Sequence, residues 1–333
     1  MSNLVCFIAS HLTKARLPLV IELFASIKQQ SKLCPIYMSY SSDKDCKQEF
    51  EQFVDNNLVK VYITFLYNKK KKSQFEHYSN ILKQIPKKEQ QYIMFSDDDH
   101  IWYKNRVEFM WEVLDTVIHS QDTSFVNILF PNYCVMTPEG KISIKESKTQ
   151  DSGFNPSCIE HWCNIVNITV LDTFFRITDK WIIKHPYCDI RFSWYILTYV
   201  DDNINKNMTL QNKPVYILRQ HKYSICSTLK QSKHPYVDSL KNSVDISTLN
   251  TIVDIMGANA NSLCSVDSLC SSICLNIELS ILSHNSKGLY IRDILIKTLN
   301  TSEKKSNLIS THVDILYPQI EDWAKTTYNI NKE

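Results

Sequence analysis

The first 130 residues alternate short apolar runs with segments whose apolar residues recur every three or four positions. LVCFIAS at 4–10 is a continuous apolar run, as expected of a strand that is buried on both faces. LPLVIELFASIKQQ follows at 17–30, with Pro18 in a suitable place for the first turn of an amphipathic helix. Because this alternation builds a parallel sheet covered by helices, it predicts an α/β fold.

The alternation continues to a fourth predicted strand. PIYMSY at 35–40, LVKVYITF at 58–65 and QYIMFS at 91–96 have the apolar and β-branched content of strands. Asp43 is a candidate N-cap for a helix between the second and third strands. IWYKNRVEFMWEVLDTVI at 101–118 is predicted to be a helix.

Composition excludes several function classes. The chain has 333 residues, of which 44% are hydrophobic and 22% charged, as in ordinary globular proteins. It contains four glycines, none within ten residues of another, so it lacks both the dinucleotide-binding G-x-G-x-x-G and the P-loop. A formal net charge of +2 does not indicate a nucleic-acid partner, and the lysine run at 69–72 is interpreted as a solvated loop. We expect no nucleic acid to bind.

The cysteines and the apolar segments bear on location. The eleven cysteines are scattered and match no zinc pattern of paired CxxC motifs, so we expect free thiols. The N-terminus lacks the basic region of a signal peptide, and no apolar stretch approaches the ~18 residues of a membrane span. We therefore expect a soluble cytoplasmic protein. Six arginines against 31 lysines are typical of an AT-rich genome, and a viral genome of that kind would place the protein in the host cytoplasm.

Three consecutive carboxylates, Asp97, Asp98 and Asp99, follow the fourth predicted strand and precede His100. In open α/β sheets the carboxyl ends of the strands form the ligand crevice. Neighbouring carboxylates repel one another unless a cation offsets their charge. The pattern therefore predicts that Asp97 and Asp99 bind Mn²⁺ or Mg²⁺, with substrate phosphates completing the coordination. From the residues alone, an acidic helix N-terminus that needs no ligand remains an open alternative.

The stretch QYIMFSDDDHIWYKNRV resembles the DxD region of GT-A glycosyltransferases, in particular the family-2-like nucleotide-sugar transferases. RLPLVIELFASIKQQ is similar to the helix that follows their first strand, and the resemblance covers about residues 4–130. It implies a GT-A (Rossmann-like) fold. The helical spacing of apolar residues from about Tyr236 onward adds a helical C-terminal region to that prediction. It also implies metal-dependent glycan biosynthesis, in which a sugar moves from a nucleotide-diphosphate donor, with UDP-sugars favoured, to a hydroxyl of a glycan or glycoprotein. The implied mechanism inverts the anomeric centre and uses a carboxylate base.

The resemblance also implies roles for individual residues. Asp99 contacts the metal directly, and Asp97 contacts the metal or a metal-bound water and the ribose. Asp98 is the variable middle residue of the motif and joins Ser10 and Arg16 in binding the nucleotide sugar.

Other implied roles lie outside the DxD motif. Asp43 takes the uracil contact, because Ser39 and Tyr40 stand where the family often places Asp. His100 stands where many relatives have a further Asp. His221, which ends the strand-like PVYILRQH, is implied as an additional metal ligand. Asp189 is the predicted catalytic base, and the reserve candidates are Glu160 and Asp151.

The predicted organisation has three parts: a nucleotide-sugar-binding half at 1–130, an acceptor-binding half at 131–230 and a helical subdomain at 231–333. Two other functions remain open at this stage. One is a Mg²⁺-dependent phosphotransferase or phosphohydrolase that uses the same aspartates, although the sequence has no phosphate loop. The other is a non-catalytic glycan-binding module.

Overall fold

The computed structural model describes two compact units. One comprises residues 1–147, 159–177 and 183–224, and the other comprises 148–158, 178–182 and 225–333. Within them, the described residues are 3–86, 91–119, 125–129, 133–145, 161–178, 180–184, 188–189, 192–193, 195–196, 206–209, 214–220, 236–243, 270, 274, 318–319 and 322.

The described elements are strands and helices in alternation, with two short 3-10 helices. The strands are β1 (Asn3–Leu12), β2 (Ile36–Ser42), β3 (Ile63–Tyr67), β4 (Gln91–Asp97), β5 (Ile101–Trp102), β6 (Phe125–Leu129), β7 (Tyr133–Met136), β8 (Ile142–Lys145), β9 (Asn164–Asn167), β10 (Lys206–Thr209) and β11 (Tyr216–Arg219). The helices are α1 (Leu17–Lys28), α2 (Lys44–Asn56), α3 (Gln74–Gln84), α4 (Arg106–His119), α5 (Ile168–Ile177), α6 (Lys180–Lys184) and α7 (Val237–Ser243). The 3-10 helices are Val59–Val61 and His161–Cys163.

The main sheet has seven strands in the order β10-β6-β9-β4-β1-β2-β3. β1 pairs in parallel with β2 on one side and with β4 on the other, and β2 pairs in parallel with β3. β9 lies antiparallel between β4 and β6, so the sheet is mixed and not wholly parallel as the alternation predicts. A second sheet has the order β5-β11-β7-β8. The predicted α/β class is confirmed.

The first strand and helix form as their sequence patterns predict. The interior of β1 is buried on both faces, including Cys6, Phe7 and Ile8, which are fully excluded from solvent. Pro18 lies in the first turn of α1, where it does not remove an intrahelical hydrogen bond. The apolar stripe of α1 is buried, as its spacing predicts, at Val20, Leu23, Phe24 and Ile27.

Two predicted boundaries are wrong. The third strand begins at Ile63 and not at 58, because Leu58 adopts a left-handed conformation (φ 53°) and a 3-10 turn follows it. Ile101 and Trp102 form β5 instead of opening a helix, and α4 begins at Arg106. Pairing of Trp102 with Tyr216 in β11 overrides the local helical pattern there.

Three cysteines in the main-sheet unit are buried free thiols, as predicted: Cys6, Cys34 and Cys46. In the described part of the second unit, α7 buries Val237. None of the helices seen in the described residues combines the length and the apolar character needed to span a bilayer.

Candidate metal centre

The acidic cluster lies at the edge of the main sheet where the strand order reverses. β2 and β3 extend the sheet on one side of β1, whereas β4 pairs on the other side, with Ala9 opposite Asp97. In open α/β sheets a crevice forms outside the carboxyl ends of the strands at such a reversal. Ser10 and the acidic cluster are therefore together at the place where ligands bind in this class of fold.

Asp98 is buried and paired with a cation. Its carboxylate accepts hydrogen bonds from the Ser10 hydroxyl and from Arg16, whose Nε lies 3.2 Å from Asp98 Oδ2 and whose Nη2 contacts Oδ1. Burial raises the pKa of Asp98, and Arg16 opposes that shift. The carboxylate in turn raises the pKa of the Arg16 guanidinium above its ordinary value. Both oxygens of Asp98 are therefore engaged by Arg16.

Asp97 is held through one carboxylate oxygen and its backbone. Gln74 Nε2 donates to Asp97 Oδ1 at 2.6 Å, and His161 Nε2 lies 3.3 Å from the same oxygen. The backbone N–H of Asp97 donates to the Tyr216 hydroxyl at 3.0 Å. Burial raises the pKa of Asp97, but His161 and His100 outweigh it, so the net shift is downward and the carboxylate is ionised.

Asp99 and His100 complete the cluster. Asp99 Oδ2 lies 3.3 Å from Arg16 Nη2, and Asp99 Oδ1 lies 3.5 Å from His100 Nε2. The Asp99 carbonyl accepts a hydrogen bond from Arg219 Nε at 2.5 Å, which fixes the backbone of the motif. Asp97, Asp99 and His100 each offer one metal-binding atom, and these atoms lie within 4.8 Å of one another.

Aromatic packing holds the imidazole of His100. The ring stands at 87° to Trp162 and at 85° to Tyr216, with centroids 5.1 Å and 4.6 Å away. Trp162 and Tyr216 are themselves stacked at 4.7 Å. Burial lowers the pKa of His100 against the opposing effect of the two carboxylates, which favours the neutral imidazole that metals bind.

Arg106 supports the site from the sheet interior. Its side chain is fully buried, with the guanidinium 4.1 Å from the Tyr216 ring centre and 4.7 Å from that of Trp102. Nη2 donates to the Phe95 carbonyl at 3.0 Å. Arg106 therefore links β4 to Tyr216, which also packs on His100.

A polar network extends along the carboxyl ends of β1 and β2. His77 Nδ1 lies 2.9 Å from the Ser39 hydroxyl, and His77 Nε2 lies 3.4 Å from that of Ser41. Ser41 in turn contacts His11 Nδ1 at 3.0 Å, and His11 Nε2 lies 3.4 Å from Asp43 Oδ1. Asp43 occupies the N-cap position of α2 but makes no capping hydrogen bond, and its side chain is 59% exposed. The predicted capping hydrogen bond is therefore absent, and the uracil contact of Asp43 stays a prediction.

The structure brings together most of the predicted site residues: Ser10, Arg16, Asp97, Asp98 and Asp99. Asp189 is half-buried, and its carbonyl accepts a hydrogen bond from the Ser193 hydroxyl at 3.0 Å. Its role as the catalytic base stays a prediction. His221, Glu160 and Asp151 lie outside the described residues.

The sequence analysis did not assign four residues to this cluster that the structure places there: Gln74, His100, His161 and Tyr216. Only His100 carried a local signal, because it directly follows the three aspartates. The other three lie 23, 64 and 119 positions from Asp97 along the chain, so no spacing rule places them there.

Comparison with known proteins identifies the fold. No protein-family model matches the sequence, and no curated protein is significantly similar to it. Among solved structures, S. aureus TarS matches with a TM-score of 0.51 at 11% identity, over 96% of this chain and 55% of TarS, so the chain spans about half of that protein. The TarS fragment 1–349 in complex with UDP-GlcNAc matches with a TM-score of 0.51 at 12% identity, over 99% of this chain and 92% of the fragment. The chain has the fold of GT-A glycosyltransferases, as the resemblance implies.

Proposed function

We propose that this protein is a metal-dependent glycosyltransferase that moves a sugar from a nucleoside-diphosphate donor to a hydroxyl of a glycan or glycoprotein. The observation that carries the proposal is the convergence of Asp97, Asp99 and His100 within 4.8 Å. They meet beside β1 and β4, at the strand reversal of a GT-A fold. In open α/β sheets, ligands bind outside the carboxyl ends of the strands at such a reversal.

The residues present fit a divalent cation. Carboxylate oxygens suit both Mg²⁺ and Mn²⁺, and Asp97 and Asp99 supply one each toward His100. When bound, such an ion stabilises the negative charge that develops on a diphosphate leaving group. The ionised state of Asp97 is the one that a metal ligand needs.

Arg16 is a cation in direct contact with this centre. Its side chain is 18% exposed, and it contacts both Asp98 and Asp99. We assign it to charge stabilisation at the donor diphosphate, with Asp98 and Ser10 fixing its orientation. Asp43, with its largely exposed carboxylate, is assigned to the nucleobase.

Asp189 is the proposed base that removes the proton of the acceptor hydroxyl in an inverting displacement. The assignment comes from the family resemblance. We therefore expect Asp189→Asn to abolish transfer in a donor-turnover assay. Donor and Mn²⁺ should still bind to the variant in a calorimetric titration.

The decisive experiment is a calorimetric titration of UDP and GDP with and without Mn²⁺, followed by a donor-turnover assay. UDP-GlcNAc is the first donor to test, because the matching TarS fragment was crystallised with it. We expect nucleotide binding that requires Mn²⁺ and is lost in Asp99→Asn. Asp55→Asn is the matched control, since Asp55 is 59% exposed and pairs only at the surface with Lys60.

Three outcomes would contradict the proposal. Asp99→Asn that binds Mn²⁺ and nucleotide like the wild type would remove Asp99 from the site. Binding of the metal without any nucleotide would favour a phosphohydrolase. Binding of neither would favour a glycan-binding module.

A further inference from the structure

We infer that Arg219 is a positioning residue, which holds Arg16 from within the protein so that Arg16 can meet the diphosphate of the donor. The inference rests on the proposed function, which assigns Arg16 to charge stabilisation at that diphosphate. Arg219 is not itself a ligand-binding group. Its side chain is 5% exposed, and each of its three guanidinium nitrogens already contacts a protein oxygen.

The guanidinium of Arg219 joins the acidic motif to helix α1. Nε donates to the Asp99 carbonyl at 2.5 Å, and Nη2 donates to the Leu19 carbonyl at 2.8 Å. Nη1 contacts the carboxylate of Glu22, which also lies on α1. Asp99 and Leu19 are 120 and 200 positions away from Arg219 along the chain. Because the guanidinium is planar and presents its donors in a fixed arrangement, it fixes the spacing between Asp99 and α1.

Asp99 and Leu19 each contact Arg16 as well. The N–H of Leu19 donates to the Arg16 carbonyl at 3.0 Å, and Asp99 Oδ2 lies 3.3 Å from Arg16 Nη2. Arg219, Asp99, Arg16 and Leu19 therefore form a closed four-residue ring of contacts, in which each residue contacts two others. Removing Arg219 opens this ring, so that the start of α1 and the acidic motif lose a polar bridge between them.

A strand of the second sheet carries Arg219. It is the last residue of β11, which pairs in parallel with β7, and Arg219 lies opposite Met136 there. The N–H of the next residue, Gln220, donates to the Met136 carbonyl at 2.8 Å. A side chain on a hydrogen-bonded strand is held more precisely than one on a loop, as positioning requires.

The two arginines beside the motif have different partners. Arg219 bonds to the backbone carbonyl of Asp99, and its counter-charge is Glu22, whose side chain is 58% exposed. The carboxylates of Asp98 and Asp99 are thereby left to Arg16, whose side chain is 18% exposed. Arg219 therefore fixes the backbone, whereas Arg16 keeps accessible surface with which to meet an anion.

Calorimetric titration of the full chain with UDP and GDP, in the presence of Mn²⁺, tests this role. We expect Arg219→Met to weaken nucleotide binding about tenfold or more, because small displacements of a positioned group are costly. Arg219→Lys keeps the charge but not the planar set of donors, so it should recover little of this loss. Glu22→Gln keeps both carbonyl bonds and should weaken binding by about twofold at most. Circular dichroism establishes that each variant is folded, and a variant that is merely less stable keeps the dissociation constant of the wild type.

A double-mutant cycle separates the positioning of Arg16 from a general structural role. If Arg219 acts through Arg16, adding Arg219→Met to Arg16→Met should weaken nucleotide binding by about twofold at most. Arg106→Met is the matched control, because Arg106 is buried and donates to a backbone carbonyl but lies outside the four-residue ring. Its effect should be the same with and without Arg16→Met. The same cycle measured by urea denaturation needs no ligand, and there Arg219→Met should change the unfolding equilibrium less when Arg16 is already replaced.

The outcomes separate this inference from the proposed function. Nucleotide that binds Arg219→Met as tightly as the wild type overturns the inference and leaves the proposed function intact. Effects of Arg16→Met and Arg219→Met that are independent of each other also overturn it, because Arg219 then does not act through Arg16. If the wild type binds neither nucleotide, the proposed function is wrong, and the denaturation cycle alone then supports or overturns the link between the two arginines.

Discussion

Replacing Arg16 with methionine should show how much of the site depends on one buried ion pair. The variant leaves Asp98, whose side chain is 3% exposed, without its counter-charge, although the Ser10 hydroxyl still donates to it. Removing one partner of a buried pair costs about 3–5 kcal/mol, because the remaining charge is neither solvated nor neutralised. We expect a loss of that size in the free energy of unfolding.

Urea denaturation followed by circular dichroism measures this loss. Lys60→Met is the matched control, since Lys60 and Asp55 are 65% and 59% exposed and such surface pairs contribute at most about 1 kcal/mol. The double variant Arg16→Met/Asp98→Asn should recover part of the stability, because the amide accepts from Ser10 without a buried charge. If Arg16→Met destabilised the protein no more than Lys60→Met, the electrostatic account of this pair would be wrong.

Two further predictions concern neighbouring residues. Burial, with Lys72 and His11 nearby, lowers the pKa of His77 from 6.5 to about 3, so between these values the unfolded chain binds a proton that the folded protein does not. Stability should therefore decrease by up to about 1.4 kcal/mol for each unit by which the pH is lowered across that window, and unfolding of His77→Gln at several pH values should show a shallower slope. Tyr216→Phe removes the oxygen that accepts the Asp97 N–H and should cost about 1–3 kcal/mol, with weaker Mn²⁺ binding in calorimetry. An unchanged Mn²⁺ affinity in Tyr216→Phe would show that Asp97 does not need this backbone anchor.

Local pattern was sufficient for the elements that carry the acidic cluster. β1, α1 and β4 have continuous apolar runs or a helical stripe, and each begins and ends within two residues of its predicted bounds. Asp97 ends β4 and Asp98 and Asp99 follow it directly, so their place at the sheet edge follows from the strand itself.

Contacts between residues far apart in the chain could not be predicted from the local sequence pattern. Trp102 lies in a segment with helical periodicity, yet strand pairing with Tyr216 places it in the second sheet. The aspartates differ in their partners. Arg16 contacts Asp98, whereas Gln74 and His161 contact Asp97, and these partners come close only in the folded protein. The sequence does not show which of the three carboxylates an arginine neutralises, and only the tertiary contacts place Arg16 on Asp98.

The antiparallel insertion of β9 between β4 and β6 has a consequence for biosynthesis. Until β9 has left the ribosome, one side of β4 has no strand beside it, and its apolar Tyr92, Ile93 and Met94 would form an open, adhesive edge. A nascent chain that stops before Asn164 would therefore carry a half-finished sheet prone to pairing with other chains. The segment that closes this edge also brings His161 beside Asp97, so closure of the β4 edge and placement of His161 at the acidic cluster occur in the same step of synthesis.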